Sequence, residues 1–101
     1  MTKELIHKAA LAFAERAFLP AALLAADGPR QRGSLAHRRA LMAFADTCIM
    51  EYGFSVTATA AGIGRDHSTV SKNLKNLPDG PHIDMYGELA SDCIKTAISS
   101  L

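Results

Sequence analysis

The chain has 101 residues, about one domain's worth, and its 49% hydrophobic and 21% charged composition excludes a disordered tail or a low-complexity linker. A chain this short hides roughly 60–65% of its unfolded surface, enough for one small core but not for a deep substrate cavity, so a large enzyme is not expected. The formal net charge of +1 conceals an asymmetry, because residues 1–29 balance to zero, residues 30–77 carry +4 and residues 78–101 carry −3, and a cationic middle suits an anionic partner.

Eighteen alanines, no Trp and only six Phe and Tyr residues predict an all-α fold, a small bundle of closely approaching helices, and the pattern between Ser55 and Leu77 gives that bundle a helix-turn-helix. The first helix is predicted over about 2–26, with Thr2 as N-cap, Glu4 in the first turn and Pro20 inside as a break or kink. Its apolar stripe reads Leu5, then Leu11 or Ala12, then Phe18 or Leu19. Residues 9–26 mimic a secretory signal, but Glu15 and Arg16 interrupt the run. The apolar residues after Arg16 are far fewer than the ~20 that span a bilayer. The stretch therefore reads as a soluble amphipathic helix.

Asp27-Gly28-Pro29 ends that helix, and a polar basic loop over 27–34 carries Arg30 and Arg32. Ser34 can cap a long helix over 35–52, on which Leu41, Ala45, Cys48 and Tyr52 share one stripe before Gly53 stops it. The β-branched run at 54–59 is too brief for a strand. Ser55 can cap a short helix over about 56–61, and Gly62-Ile63-Gly64 makes a tight turn with one apolar plug. A second helix starts near Arg65 or Asp66 and runs to Leu77, closed by Pro78-Asp79-Gly80-Pro81. A C-terminal helix over about 83–99 completes the single domain.

Cys48 and Cys93 are too few for a disulfide framework or a zinc site, and each sits among apolar residues as a buried reduced thiol. The histidines at 7, 37, 67 and 82 form no pair at the spacing of helical metal ligands, so neither metal nor cofactor is expected.

On the second helix of the 55–77 unit, Val70, Leu74 and Leu77 fall at i, i+4 and i+7 and face the core. His67, Ser68, Ser71, Lys72 and Lys75 then point outward or along the flank. Polar groups at the helix start and cations further on are the chemistry of a recognition helix, with base edges met first and phosphates alongside. Asp66, His67 and Ser68 are neighbours on one helix and cannot assemble a nucleophile, base and orienter, so no enzyme is expected.

The string Gly64-Arg65-Asp66-His67-Ser68-Thr69-Val70 resembles the signature of the C-terminal DNA-binding domain (domain IV) of the DnaA chromosomal replication initiator family. A looser match runs over about 30–77, with Arg38-Arg39-Ala40-Leu41-Met42 similar to the start of that family's long central helix. The resemblance implies a helical bundle that reads a short duplex site, the DnaA box, with one helix in the major groove and an arginine from a basic loop in the minor groove. The string GxxxxGK[ST] of the family's ATPase module occurs nowhere in this chain.

Carried over by position, the base-contacting residues fall on Asp66, His67, Ser68 and Thr69. Phosphate or minor-groove contacts fall on Arg30, Arg32, Arg38, Arg39, Arg65, Ser71, Lys72 and Lys75, with either Arg30 or Arg32 as the minor-groove arginine. A carboxylate at Asp66 can accept from a cytosine amine or cap the helix, and the Thr69 methyl can pack on a thymine methyl. Departures from the family pattern are Gly62-Ile63-Gly64 before the string, Lys72 at a position often occupied by histidine, and the acidic region after Pro78. These imply a retained scaffold with a shifted target sequence.

The expected function is sequence-specific binding of double-stranded DNA in bacterial replication initiation or its regulation, in the cytoplasm and at the nucleoid. The alternative is an interaction module that contacts the initiator or other replication proteins, in keeping with the low total charge and acidic C-terminal segment. No membrane and no small-molecule substrate is expected.

Overall fold

The computed structural model of the chain describes residues 2–18, 35–75 and 81–100, with 35–38 and 81–85 described by backbone alone. Its helices are α1 (Thr2–Arg16), α2 (Leu35–Met50), α3 (Val56–Gly62), α4 (His67–Lys75) and α5 (Pro81–Ser99), and the described residues contain no strand. The fold is the expected all-α bundle. α1 lies on α5 and α3, α2 packs against α5, and α4 leans on α3 and α2.

α1 departs from the sequence reading in both length and orientation. The helix does not continue unbroken to residue 26, because it ends at Arg16 and Phe18 adopts a left-handed backbone at φ 58°. The predicted position of Pro20 inside the helix, the 27–29 terminator and the basic loop lie outside the described residues. Its buried face is Ile6, Ala9, Ala10, Phe13 and Ala14, whereas Leu11 is 42% and Phe18 91% exposed and Leu5 is only half-buried. Small residues decide this. The alanines beside Ile6 and Phe13 let neighbouring helices approach closely, and a face centred on Leu11 would lose those contacts.

α2 carries the predicted stripe, with Leu41, Ala45 and Cys48 buried and Tyr52 half-buried just past its end. It is more central than one stripe implies, since Ala40, Met42, Ala43 and Phe44 are buried as well. Buried Thr47 is satisfied within the helix, donating its hydroxyl to the Ala43 carbonyl at 2.9 Å. Beyond the helix, the Tyr52 hydroxyl donates to the Ser91 carbonyl at 3.1 Å and fastens this end to α5.

α5 begins at Pro81, where the missing amide costs nothing because no intrahelical partner exists there. It buries Ala90, Cys93, Ile94 and Ala97 at i, i+3, i+4 and i+7. Among the described residues no helix is long and apolar enough to cross a membrane.

Both cysteines are free and buried, as the sequence predicts. Burial pushes the Cys48 thiol from its ordinary 9.0 up to about 12. The folded chain therefore holds this proton when the unfolded chain has released it. Stability from this group is complete below about pH 9 and declines as pH rises from there towards about 12. At pH 8 an aromatic disulfide reagent should label neither thiol in the native protein and both in urea; rapid native labelling of Cys48 would contradict its burial.

Candidate nucleic-acid interface

Residues 55–75 form two helices joined by a turn that local chemistry specifies at each step. Ser55 caps α3, its hydroxyl accepting from the Ala58 amide at 3.0 Å. At the other end the Arg65 amide donates to the Ala60 carbonyl at 2.9 Å and the Gly64 amide to the Ala61 carbonyl at 3.3 Å. This is the hydrogen-bond pattern of a Schellman turn, whose penultimate residue must be left-handed; Gly64 supplies that conformation at φ 68°. Ile63 is fully buried, so the plug between the glycines fills the core as expected.

Gly62 serves a different need. A Cβ at this position would lie 2.5 Å from Ile6 Cγ2 and 2.7 Å from Ile6 Cβ, so α1 and α3 touch where α3 lacks a side chain. His7 secures the same contact by donating its Nδ1 proton to the Gly62 carbonyl at 2.9 Å. The α3 end of the turn is thus held from a helix more than fifty residues earlier.

Asp66 caps α4, with Oδ2 accepting from the Ser68 amide at 3.0 Å and its carbonyl accepting from Val70 at 3.0 Å. The first helical residue is His67, so both proposed starting residues precede the helix. His67 Nδ1 lies 3.9 Å from the second Asp66 oxygen, so the carboxylate and the imidazole sit side by side at the helix head. Val70 is fully buried and Leu74 half-buried, which sets the rotation of the helix; Leu77 lies outside the described residues.

Asp66, His67, Ser68 and Thr69 are all exposed, together at the start of α4. Lys72 and Lys75 are exposed further along, and Ser71 is half-buried on the flank. Among the described residues neither lysine takes part in an ion pair. Arg65 is half-buried, with a guanidinium nitrogen donating to the Gly64 carbonyl at 3.3 Å. Arg39 is half-buried on α2, whereas Arg38 is described by backbone alone and Arg30 and Arg32 lie outside the described residues.

Asn73 is absent from the sequence-predicted face, yet it is exposed on α4 one helical turn beyond Thr69. The i, i+4 spacing from Thr69 is the signal that could have found it. His7 and Gly62 carry no comparable local signal, because their roles arise from the meeting of α1 and α3.

A separate concavity of about 550 Å³ lies between α2 and α5. Asp46, Glu51, Glu88 and Asp92 give it an acidic lining, with Lys95 and the 77% exposed Met50 at its wall. The Arg16 guanidinium pairs with Asp92 beside it, which holds Arg16 above its ordinary pKa.

No protein-family model, curated protein or solved structure matches this chain.

Proposed function

We propose that this chain is a DNA-binding module that places α4 in the major groove of a duplex, in the manner of the DnaA family's duplex-reading domain. It would act in bacterial replication initiation or its regulation. The supporting observation is the exposed polar head of α4, His67, Ser68 and Thr69, held by the Asp66 cap and the buried Val70. Hydrogen-bonding groups at the head meet base edges while Lys72, Lys75 and Arg65 neutralise phosphates. Arg38 and Arg39 extend the phosphate contacts, and Arg30 or Arg32 enters the minor groove, where narrow A·T tracts concentrate negative potential. The module binds and does not catalyse.

A second reading, contact with a basic partner protein, is favoured by the acidic concavity between α2 and α5. Lys72→Glu separates the two. Lys72 lies two positions past Val70, about 200° around the helix, so its replacement should change stability by no more than about 0.5 kcal/mol. Fluorescence anisotropy with duplexes carrying or lacking a DnaA box, at several salt concentrations, should show specific binding by the native chain. The variant should bind every duplex more weakly, and its slope of log affinity against log salt should shrink by about one. A folded variant with unaltered affinity and slope would remove α4 from the DNA interface.

A further inference from the structure

We infer that Asn73, acting with Thr69, reads an adenine–thymine step in the major groove and so helps determine the target sequence. This rests on the reading that α4 enters that groove. With Val70 and Leu74 turned to the core, two stripes run along the exposed surface of α4 beyond His67 at its head. Lys72 and Lys75, at i and i+3 beyond Ser68 at the helix head, form a cationic one. Asp66, Thr69 and Asn73, at i, i+3 and i+7, form one with no cation, rich in groups that donate and accept hydrogen bonds.

The two stripes suit different parts of a duplex. Lysines gain most from phosphates, whereas an uncharged carboxamide gains little there and has a distinctive match among bases. Its oxygen accepts from adenine N6 while its NH₂ donates to adenine N7, a bidentate pairing that no other base offers in the major groove. The Thr69 methyl one turn earlier packs on a thymine methyl. Four residues advance a helix by about 6 Å, so the two side chains address base pairs within one or two steps of each other.

The fold supplies no competing reason for an asparagine here. Asn73 is exposed, and among the described residues its amide has no hydrogen-bond partner. In a short helix whose other exposed positions are polar or cationic, the carboxamide is the side chain best matched to a base edge.

The test is selection from a randomised duplex library with the full native chain, Asn73→Ala and Asn73→Asp, each checked for folding by circular dichroism. The native chain should select a site with adenine at one position close to a thymine. Asn73→Ala should lose the adenine preference at that position alone, by about tenfold, and Asn73→Asp should move it towards cytosine, whose amine donates to a carboxylate. Replacing that adenine by 7-deazaadenine, which lacks the N7 acceptor, should weaken the native chain and leave Asn73→Ala unaffected. An unchanged selected site in Asn73→Ala, or a uniform loss on all sequences as expected of a phosphate contact, would overturn the inference while leaving duplex binding intact. If the native chain selects no sequence at all, the proposed sequence-specific function fails and this inference with it.

Discussion

Phe13→Ala is expected to cost about 3–5 kcal/mol of folding stability, the range for emptying an aromatic site in a core. The ring is fully buried, with its centroid 5.2 Å from that of Phe44 and 6.1 Å from that of Tyr86. It therefore joins α1 to both α2 and α5, and the three helices cannot all close on the vacated space. A domain of this size holds roughly 5–15 kcal/mol in total, so the loss removes a large share of it. The melting temperature should fall by roughly 15–30 °C, using the scaling for small domains. Leu11→Ala is the informative partner, because Leu11 is 42% exposed and sits on the face that sequence periodicity favoured. It should cost under about 1 kcal/mol, in keeping with a residue that leaves little apolar area uncovered when truncated. Equal losses in urea melts of the two variants would mean that α1 is rotated from the position described.

Gly62→Ala should destabilise the chain by about 1–3 kcal/mol, although alanine is the better helix former by about 1 kcal/mol. The added methyl would meet Ile6 Cγ2 at 2.5 Å, Ile6 Cβ at 2.7 Å and the Lys3 carbonyl oxygen at 3.2 Å. A rotamer change can move Cγ2, but Cβ and the carbonyl are carried by the α1 backbone. The two helices must therefore separate, and the His7 bond to the Gly62 carbonyl lengthens with them. Ile6→Ala should rescue Gly62→Ala only in part, since it removes the first contact and keeps the second. Thermal melts of the two single variants and the double variant would reveal this as a less-than-additive loss. A Gly62→Ala chain that melts above the native one would show that helix propensity outweighs the contact and that α1 and α3 do not meet so closely. Because Gly62 immediately precedes the turn that sets α4, the same variant should also weaken any duplex binding that depends on the placement of α4.

Most of the α3–α4 unit was legible in the sequence because its determinants act over a few residues. Ser55 reaches only to Ala58, Gly64 answers a left-handed position in its own turn, and Asp66 reaches only to Ser68. Val70 and Leu74 identify the inward face of α4 because polar residues surround them. The stripe on α2 is legible for the same reason, since a cap, a glycine or a repeat of three and four residues leaves little choice.

α1 lay beyond that reach. Apolar residues occur on several of its faces, and spacing favoured a stripe through Leu5, Leu11 or Ala12, and Phe18 or Leu19 over the one through Ile6 and Phe13 that is buried. The choice is made by what each face meets. Ile6 fits where Gly62 has no side chain, Phe13 meets Phe44 and Tyr86, and the alanines between them permit both approaches at once. The burial of α2 beyond its predicted stripe and the bond from His7 to Gly62 have the same origin. Local patterns specify that helices form and where the tight turn falls; which side of an alanine-rich helix is buried depends on shape complementarity between segments far apart in the chain, and that exists only once they pack.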